Sequence, residues 1–125
     1  MREPDRRSAL GQYGETLACA ALRRRGYAIL ATRYRTRRGE IDIVARDGAT
    51  LVFVEVKTRA GTSRGTPAEA VTAAKRRRLA RLSAYYLAGH PADTAARFDV
   101  VCISTSRDRP PQIDIIPHAF TLDDL

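Results

Sequence analysis

The 125-residue sequence predicts an α/β domain with a central mixed five-stranded sheet flanked by helices. Three observations lead there. Two stretches show helical spacing and stop at glycine. Five short runs are rich in Val, Ile or Phe. Their order is helix, three strands, helix, two strands, which suits an antiparallel meander followed by a right-handed crossover to a parallel strand. That connection leaves one helix on each face of the sheet.

The first helix is expected over 8–25, with Ser8 as N-cap and Gly26 as the stop. Leu10, Tyr13, Leu17 and Ala21 fall on one side at helical spacing. Glu15 lies at the edge of that arc, beside Ala18 and Leu22. Residues 1–7 are expected to fray, as untethered termini do.

YAIL at 27–30 reads as a short first strand, and TRYRTRRGE at 32–40 as a basic, mobile turn. EIDIVA at 40–45 alternates, with Ile41, Ile43 and Ala45 on one side and Glu40, Asp42 and Val44 on the other. RDGA at 46–49 is a hairpin signal. LVFVEVKT at 51–58 is then the central strand, apolar enough to be buried on both faces.

RAGTSRG at 59–65 is a loop rich in small residues. Thr66, Pro67 and Glu69 combine a capping box with proline at the first helical position, so a second helix is expected from there to Ala88, before Gly89. Val71, Leu79, Leu82 and Tyr86 form its apolar stripe. KRRR at 75–78 wraps one turn in positive charge. RFDVVCIS at 97–104 is a fourth strand. QIDIIP at 112–117 is a fifth, at a sheet edge because Pro117 has no N–H to donate.

Composition narrows the function classes. Apolar residues make up 44%, ordinary for a globular chain, and the length suits one domain. Cys19 and Cys102 lie too far apart for a zinc pattern and are too few for a disulfide framework. They read as small buried residues in a reducing compartment. Without an apolar N-terminal stretch or a membrane-length segment, the expectation is a cytoplasmic protein with no membrane partner. A net charge of +8 favours a polyanionic partner. Of 22 basic residues only Lys57 and Lys75 are lysine, so a lysine at the end of a buried strand calls for a reason. Lysine is a compact point charge whose pKa can shift, whereas arginine stays charged and forked.

Burying charge is costly unless it is paired or used. Leu51, Phe53, Glu55 and Lys57 share one face of the central strand. A two-residue turn at Asp47 and Gly48 places Asp42 opposite Phe53, diagonal to Glu55. A four-residue turn places it directly opposite Glu55. Both registers bring Asp42, Glu55 and Lys57 to one face. Two carboxylates on adjacent strands suit a hard divalent cation such as Mg²⁺, which keeps several waters. A nearby ammonium suits phosphodiester hydrolysis, where it orients the water or offsets transition-state charge. Glu15 adds an outer ligand if the first helix packs over this end of the sheet.

Glu55 and Lys57 alone also read as a strand-end ion pair, with Asp42 as an exposed polar residue. Glu40 is a further candidate partner for Lys57 across the hairpin. Asp99 and Asp114 read as structural pairs, and His90 and His118 as surface or capping residues. No Ser/His/Asp or Cys/His arrangement and no phosphate-binding glycine loop can be assembled.

Five ordered blocks carry a resemblance: GQYGETLA at 11–18, GEIDIVARDG at 39–48, LVFVEVKTR at 51–59, GTPAEAV at 65–71 and RFDVV at 97–101. Together they resemble the YraN family of small bacterial proteins. That family is similar in fold to the restriction-endonuclease-like PD-(D/E)xK nucleases, especially archaeal Holliday-junction resolvases. The resemblance implies an αβββαβ(β) core forming one nuclease-like domain over 1–125. It places the metal-binding acid at Asp42, the paired acid at Glu55, the lysine at Lys57 and the helix glutamate at Glu15. The family usually carries asparagine where this chain has Arg33, and an aromatic where it has Arg64. Those departures touch substrate contacts rather than the acids and the lysine.

The expected function is therefore a Mg²⁺- or Mn²⁺-dependent nuclease on DNA, with branched or single-stranded substrates in view. Phosphate contacts are expected from Arg33, Arg35, Arg37, Arg38, Arg59, Arg64, Lys75 and Arg76, the 59–65 loop ordering when substrate arrives. A homodimer follows only by analogy with resolvases, which cut two strands. The competing readings are a non-catalytic nucleic-acid binder or adaptor that kept the fold, and a basic protein-interaction module. Fold alone does not decide among them.

Overall fold

The computed structural model describes residues 6–60 and 71–120. The expected fraying of 1–5, most of the 59–65 loop with Arg64, and the capping box at 66–69 lie outside these residues. The elements run α1 (Arg6–Arg24), β1 (Ala28–Thr36), β2 (Gly39–Asp47), β3 (Thr50–Ala60), α2 (Ala73–Leu87), β4 (Ala96–Ser106) and β5 (Arg109–Phe120). The five strands form one sheet in chain order. Only the β3–β4 pairing is parallel, and β5 lies at an edge. This is the α/β architecture expected, with a crossover through α2.

Burial falls into two clusters. Leu79 and Leu82 of α2 pack with Val44, Leu51, Phe53, Phe98 and Val100. Ala18 and Leu22 of α1 pack with Ile43, Ala45, Val52, Val54 and Val101. Alternating residues of β3 therefore feed opposite clusters, which is why its sequence is apolar at nearly every position. Each side chain fully buried this way contributes about 1.5–3 kcal/mol.

Four expectations need correction. The helix α1 begins at Arg6, so Ser8 lies within it and is not its N-cap. The buried face of α1 is also rotated from the expected arc. Gly14, Ala18, Ala21 and Leu22 face inward, while Tyr13 is 47% exposed. Small side chains let the helix lie close to the sheet, and a tyrosine would hold it off. A Cβ at position 14 would overlap Thr58 Oγ1 and fall 3.0 Å from Thr58 Cβ.

The stretch expected as a basic turn is mostly strand. The β1 strand continues to Thr36, and only Arg37 and Arg38 form the turn to β2. Charges on an edge strand break an apolar run without breaking its ladder. Finally, α2 starts at Ala73, with Thr72 as N-cap accepting from the Lys75 N–H. Val71 is buried but precedes the helix. The rest of the expected stripe holds: Leu79 and Leu82 are buried and Tyr86 packs against them.

On the α1 side of the sheet, Arg97 ties β4 to β2 and to Tyr27, which precedes β1. It donates to Asp99 at 3.1 Å, Asp47 at 2.9 Å and the Tyr27 hydroxyl at 2.5 Å. Asp99 is completely buried and also accepts the His118 N–H. The structural role expected of Asp99 is met within this network.

Candidate active site

The hairpin between β2 and β3 turns at Gly48 and Ala49, with Asp47 opposite Thr50 and Gly48 at φ 59°. Regular pairing then runs to Ile43 and Val54. Extending that register by one residue sets Asp42 against Glu55, the closer of the two registers expected.

Beyond Ile43 the strict alternation fails. Ile41 joins the cluster under α2, whereas Ile43 joins the one under α1. The expected common face for Ile41, Ile43 and Ala45 is therefore broken at Asp42. The neighbouring strand breaks at the same level. Thr32 pairs with Ile43 and Tyr34 with Ile41, which leaves Arg33 across from Asp42. Arg33 has φ 51°, in the left-handed region. Both chains twist here, and Asp42 turns toward β3.

Its carboxylate takes up the Val56 N–H, at 2.8 Å from Oδ2. The Glu55 side chain stands opposite Asp42 in the extended register and lines the same cavity. Burial, then the Glu55 charge, push the Asp42 pKa up to about 7, against the pull of the Val56 N–H. The Glu15 charge adds to the rise. Three acids from three elements thus act on one point.

The surrounding cavity has a volume of about 680 Å³. Asp42, Glu55, Lys57, Thr58, Glu15 and Lys75 are among the residues that line it. The sequence argument placed the first three on one strand face, and the structure brings all of them into one cavity. Glu15 arrives from α1, where the Gly14–Thr58 contact holds the helix against β3. Its carboxylate accepts from Arg33 Nε at 3.2 Å. Lys75 Nζ lies 4.0 Å from Glu55 Oε1.

Each of the sequence blocks 11–18, 39–48 and 51–59 contributes residues to the lining of this cavity. A family model described as "Uncharacterised protein family UPF0102" matches residues 14–103. The chain belongs to the UPF0102 family, which is the YraN family. A UPF0102 protein of Roseiflexus castenholzii is 50% identical over 117 residues, covering 91% of this chain and 94% of its own. One from Symbiobacterium thermophilum is 50% identical over 112 residues, covering 89% and 95%. A third, from Geobacter metallireducens, is 50% identical over 115 residues, covering 91% and 93%.

The basic residues of this UPF0102 chain are placed unevenly. Arg33 and Arg35 line the cavity, but each is paired with an acid, Glu15 and Glu40 respectively. Glu40 therefore pairs with Arg35, not with Lys57. Arg37 and Arg38 are exposed in the β1–β2 turn. Arg59 points Nη2 at Cys102 Sγ, 3.8 Å away. Arg76 is turned inward, donating to the Val71 carbonyl and lying over the Phe120 ring. Sequence reasoning assigned Lys75 to phosphate contact and missed that it meets Glu55. Its rarity in an arginine-rich chain was the available signal.

The donor set suits a hard divalent ion. Two carboxyls on adjacent strands lining one cavity match the one or two protein ligands such an ion takes, with water filling the remaining positions. Among the described residues no three His, Cys, Asp or Glu side chains stand together at metal-binding distances. Asp42 and Glu55 are thus the direct ligands that the geometry offers, with Glu15 placed to act through water. Also among the described residues, no helix is long and apolar enough to cross a membrane.

Proposed function

We propose that this protein is a divalent-metal-dependent endonuclease that hydrolyses phosphodiester bonds in DNA. One observation carries the reading: Asp42 and Glu55, opposite each other across the β2–β3 register, line one cavity with Lys57. Asp42 and Glu55 would hold Mg²⁺ or Mn²⁺, which supplies Lewis-acid polarisation of the phosphoryl group and a water of lowered pKa.

The remaining work falls to the chain itself. Lys57 orients the attacking water and offsets the negative charge that builds around phosphorus. Glu15 fixes Arg33 and steadies water at the rim. The Asp42 carboxylate is preset by the Val56 N–H, so it needs little reordering when an ion is bound. Arg37 and Arg38 reach phosphates on either side of the cut, contacts that set affinity without reading sequence.

A non-catalytic DNA binder is the second reading. It is favoured by the Lys75–Glu55 and Arg33–Glu15 pairs, which offset acid charge with no metal. The two readings part in one assay. Purified protein is incubated with linear, single-stranded, flap and four-way DNA over a range of Mg²⁺ and Mn²⁺. The nuclease reading expects cleavage by wild type, none by Lys57→Ala, and DNA binding by both. Salt-sensitive binding without cleavage at every metal concentration selects the second reading. Equal cleavage by the two proteins marks a contaminating enzyme and removes the catalytic claim.

A further inference from the structure

A second cavity, of about 330 Å³, opens between the β1–β2 turn and the outer face of α2. Arg38, Lys75, Arg78 and Arg81 line it, with Ala74 and Leu82. Four cations face one space with no carboxylate among the lining residues. Among the described residues, none of Arg38, Arg78 and Arg81 forms an ion pair with an acid. This contrasts with Arg33 and Arg35, whose charge is spent on Glu15 and Glu40.

The cavity is built rather than incidental. Gly39, at φ 141°, lets the turn approach α2, and the place where its Cβ would sit is 3.5 Å from Arg78 Cδ and 3.6 Å from Leu82 Cδ1. That packing holds the Arg78 stem beside the turn that carries Arg38. The cavity borders the carboxylate site, with Lys75 lining both.

Helical spacing extends the feature. Arg78 and Arg81 share the exposed face with Tyr85, whereas Lys75 falls on the side of the buried Leu79 and Leu82. Tyr85 is 52% exposed. From Arg78 to Tyr85 the helix rises about 10 Å, the reach of roughly two nucleotides. Cations along a backbone path with an exposed aromatic ring at its end are the parts of a single-strand site, where a base stacks on the ring.

We infer that the outer face of α2 is a single-strand track: Arg38, Arg78 and Arg81 hold backbone phosphates, and Tyr85 stacks an unpaired base. The inference rests on the nuclease reading for its ligand, nucleic acid, and assigns the substrate class as a strand unpaired on the α2 side of the cut.

The test measures binding of the full chain, without divalent metal, to a short oligonucleotide and to a duplex of equal length across a salt series. Arg78→Ala/Arg81→Ala lowers single-strand affinity and flattens its dependence on log salt by about 1.4, the loss of two phosphate contacts. Tyr85→Ala weakens single-strand binding by about five- to a hundredfold, leaves duplex binding unchanged, and is rescued by Tyr85→Phe. An unchanged salt slope in the double variant, or unchanged single-strand affinity in Tyr85→Ala, overturns the track. If wild type binds neither DNA, the nuclease reading itself fails. Thermal melting of each variant checks the fold, which these outward side chains do not support.

Discussion

Arg33 and Asp42 face each other across the β1–β2 ladder at the level where both strands lose their alternation. The left-handed Arg33 backbone and the turned Asp42 side chain are two sides of one distortion. Strained backbone of this kind gathers at functional sites. Asparagine, which the YraN resemblance places at this position, tolerates the left-handed region better than arginine does.

Arg33→Asn is therefore expected to stabilise the fold by up to about 1 kcal/mol, since the partly exposed Arg33–Glu15 pair contributes little in return. Urea denaturation at neutral pH measures it. A clear loss of stability would show that the pair outweighs the backbone strain.

Gly14→Ala tests how α1 is seated. The added methyl meets Thr58 in β3, and overpacking of this kind costs about 1–3 kcal/mol. Thr58→Ala in the same chain recovers part of that cost, because the clash is with the threonine side chain. Full stability of Gly14→Ala alone would mean that α1 sits further from the sheet, and that Glu15 reaches the site less directly.

Much of this site was legible in the sequence. The doubly apolar β3 strand fixed which face Glu55 and Lys57 share, and the Asp47–Gly48 signal narrowed the hairpin to registers that bring Asp42 beside them. The rest depended on tertiary contacts. The α1 helix follows its smallest residues rather than its most apolar ones, so Tyr13 misled. The charged stretch from Thr32 to Thr36 carries no apolar run, so the second half of β1 looked like a turn. Nothing in the sequence locates the Arg33–Asp42 distortion, because it needs two strands in register.

Asp42 gives a pH dependence with a definite sign. Its pKa rises from 3.8 to about 7 in the fold, so between those values the unfolded chain releases a proton that the folded chain keeps. Wild-type stability then falls as pH rises through that window, and the penalty is complete above about pH 7. Asp42→Asn carries no such penalty. Its stability gain should be near zero at pH 4, grow to pH 7 and level off by pH 8, measured by denaturation without metal. A gain that shrinks with rising pH contradicts the assigned environment.

On the α1 side of the sheet, Asp99→Ala removes the buried partner of Arg97. The cost expected for leaving a buried charge uncompensated is about 3–5 kcal/mol. Asp47 and the Tyr27 hydroxyl remain as partners, which favours the lower part of that range. A loss below 1 kcal/mol, read by urea denaturation, would show that the Arg97 network is dispensable.

The most direct measurement is calorimetric titration of Mn²⁺ into the metal-free protein at pH 8, where Asp42 is ionised. The account predicts one site in wild type, the same site in Lys57→Ala, and none in Asp42→Asn or Glu55→Gln. Equal binding by wild type and Asp42→Asn, or no binding by wild type, would contradict it.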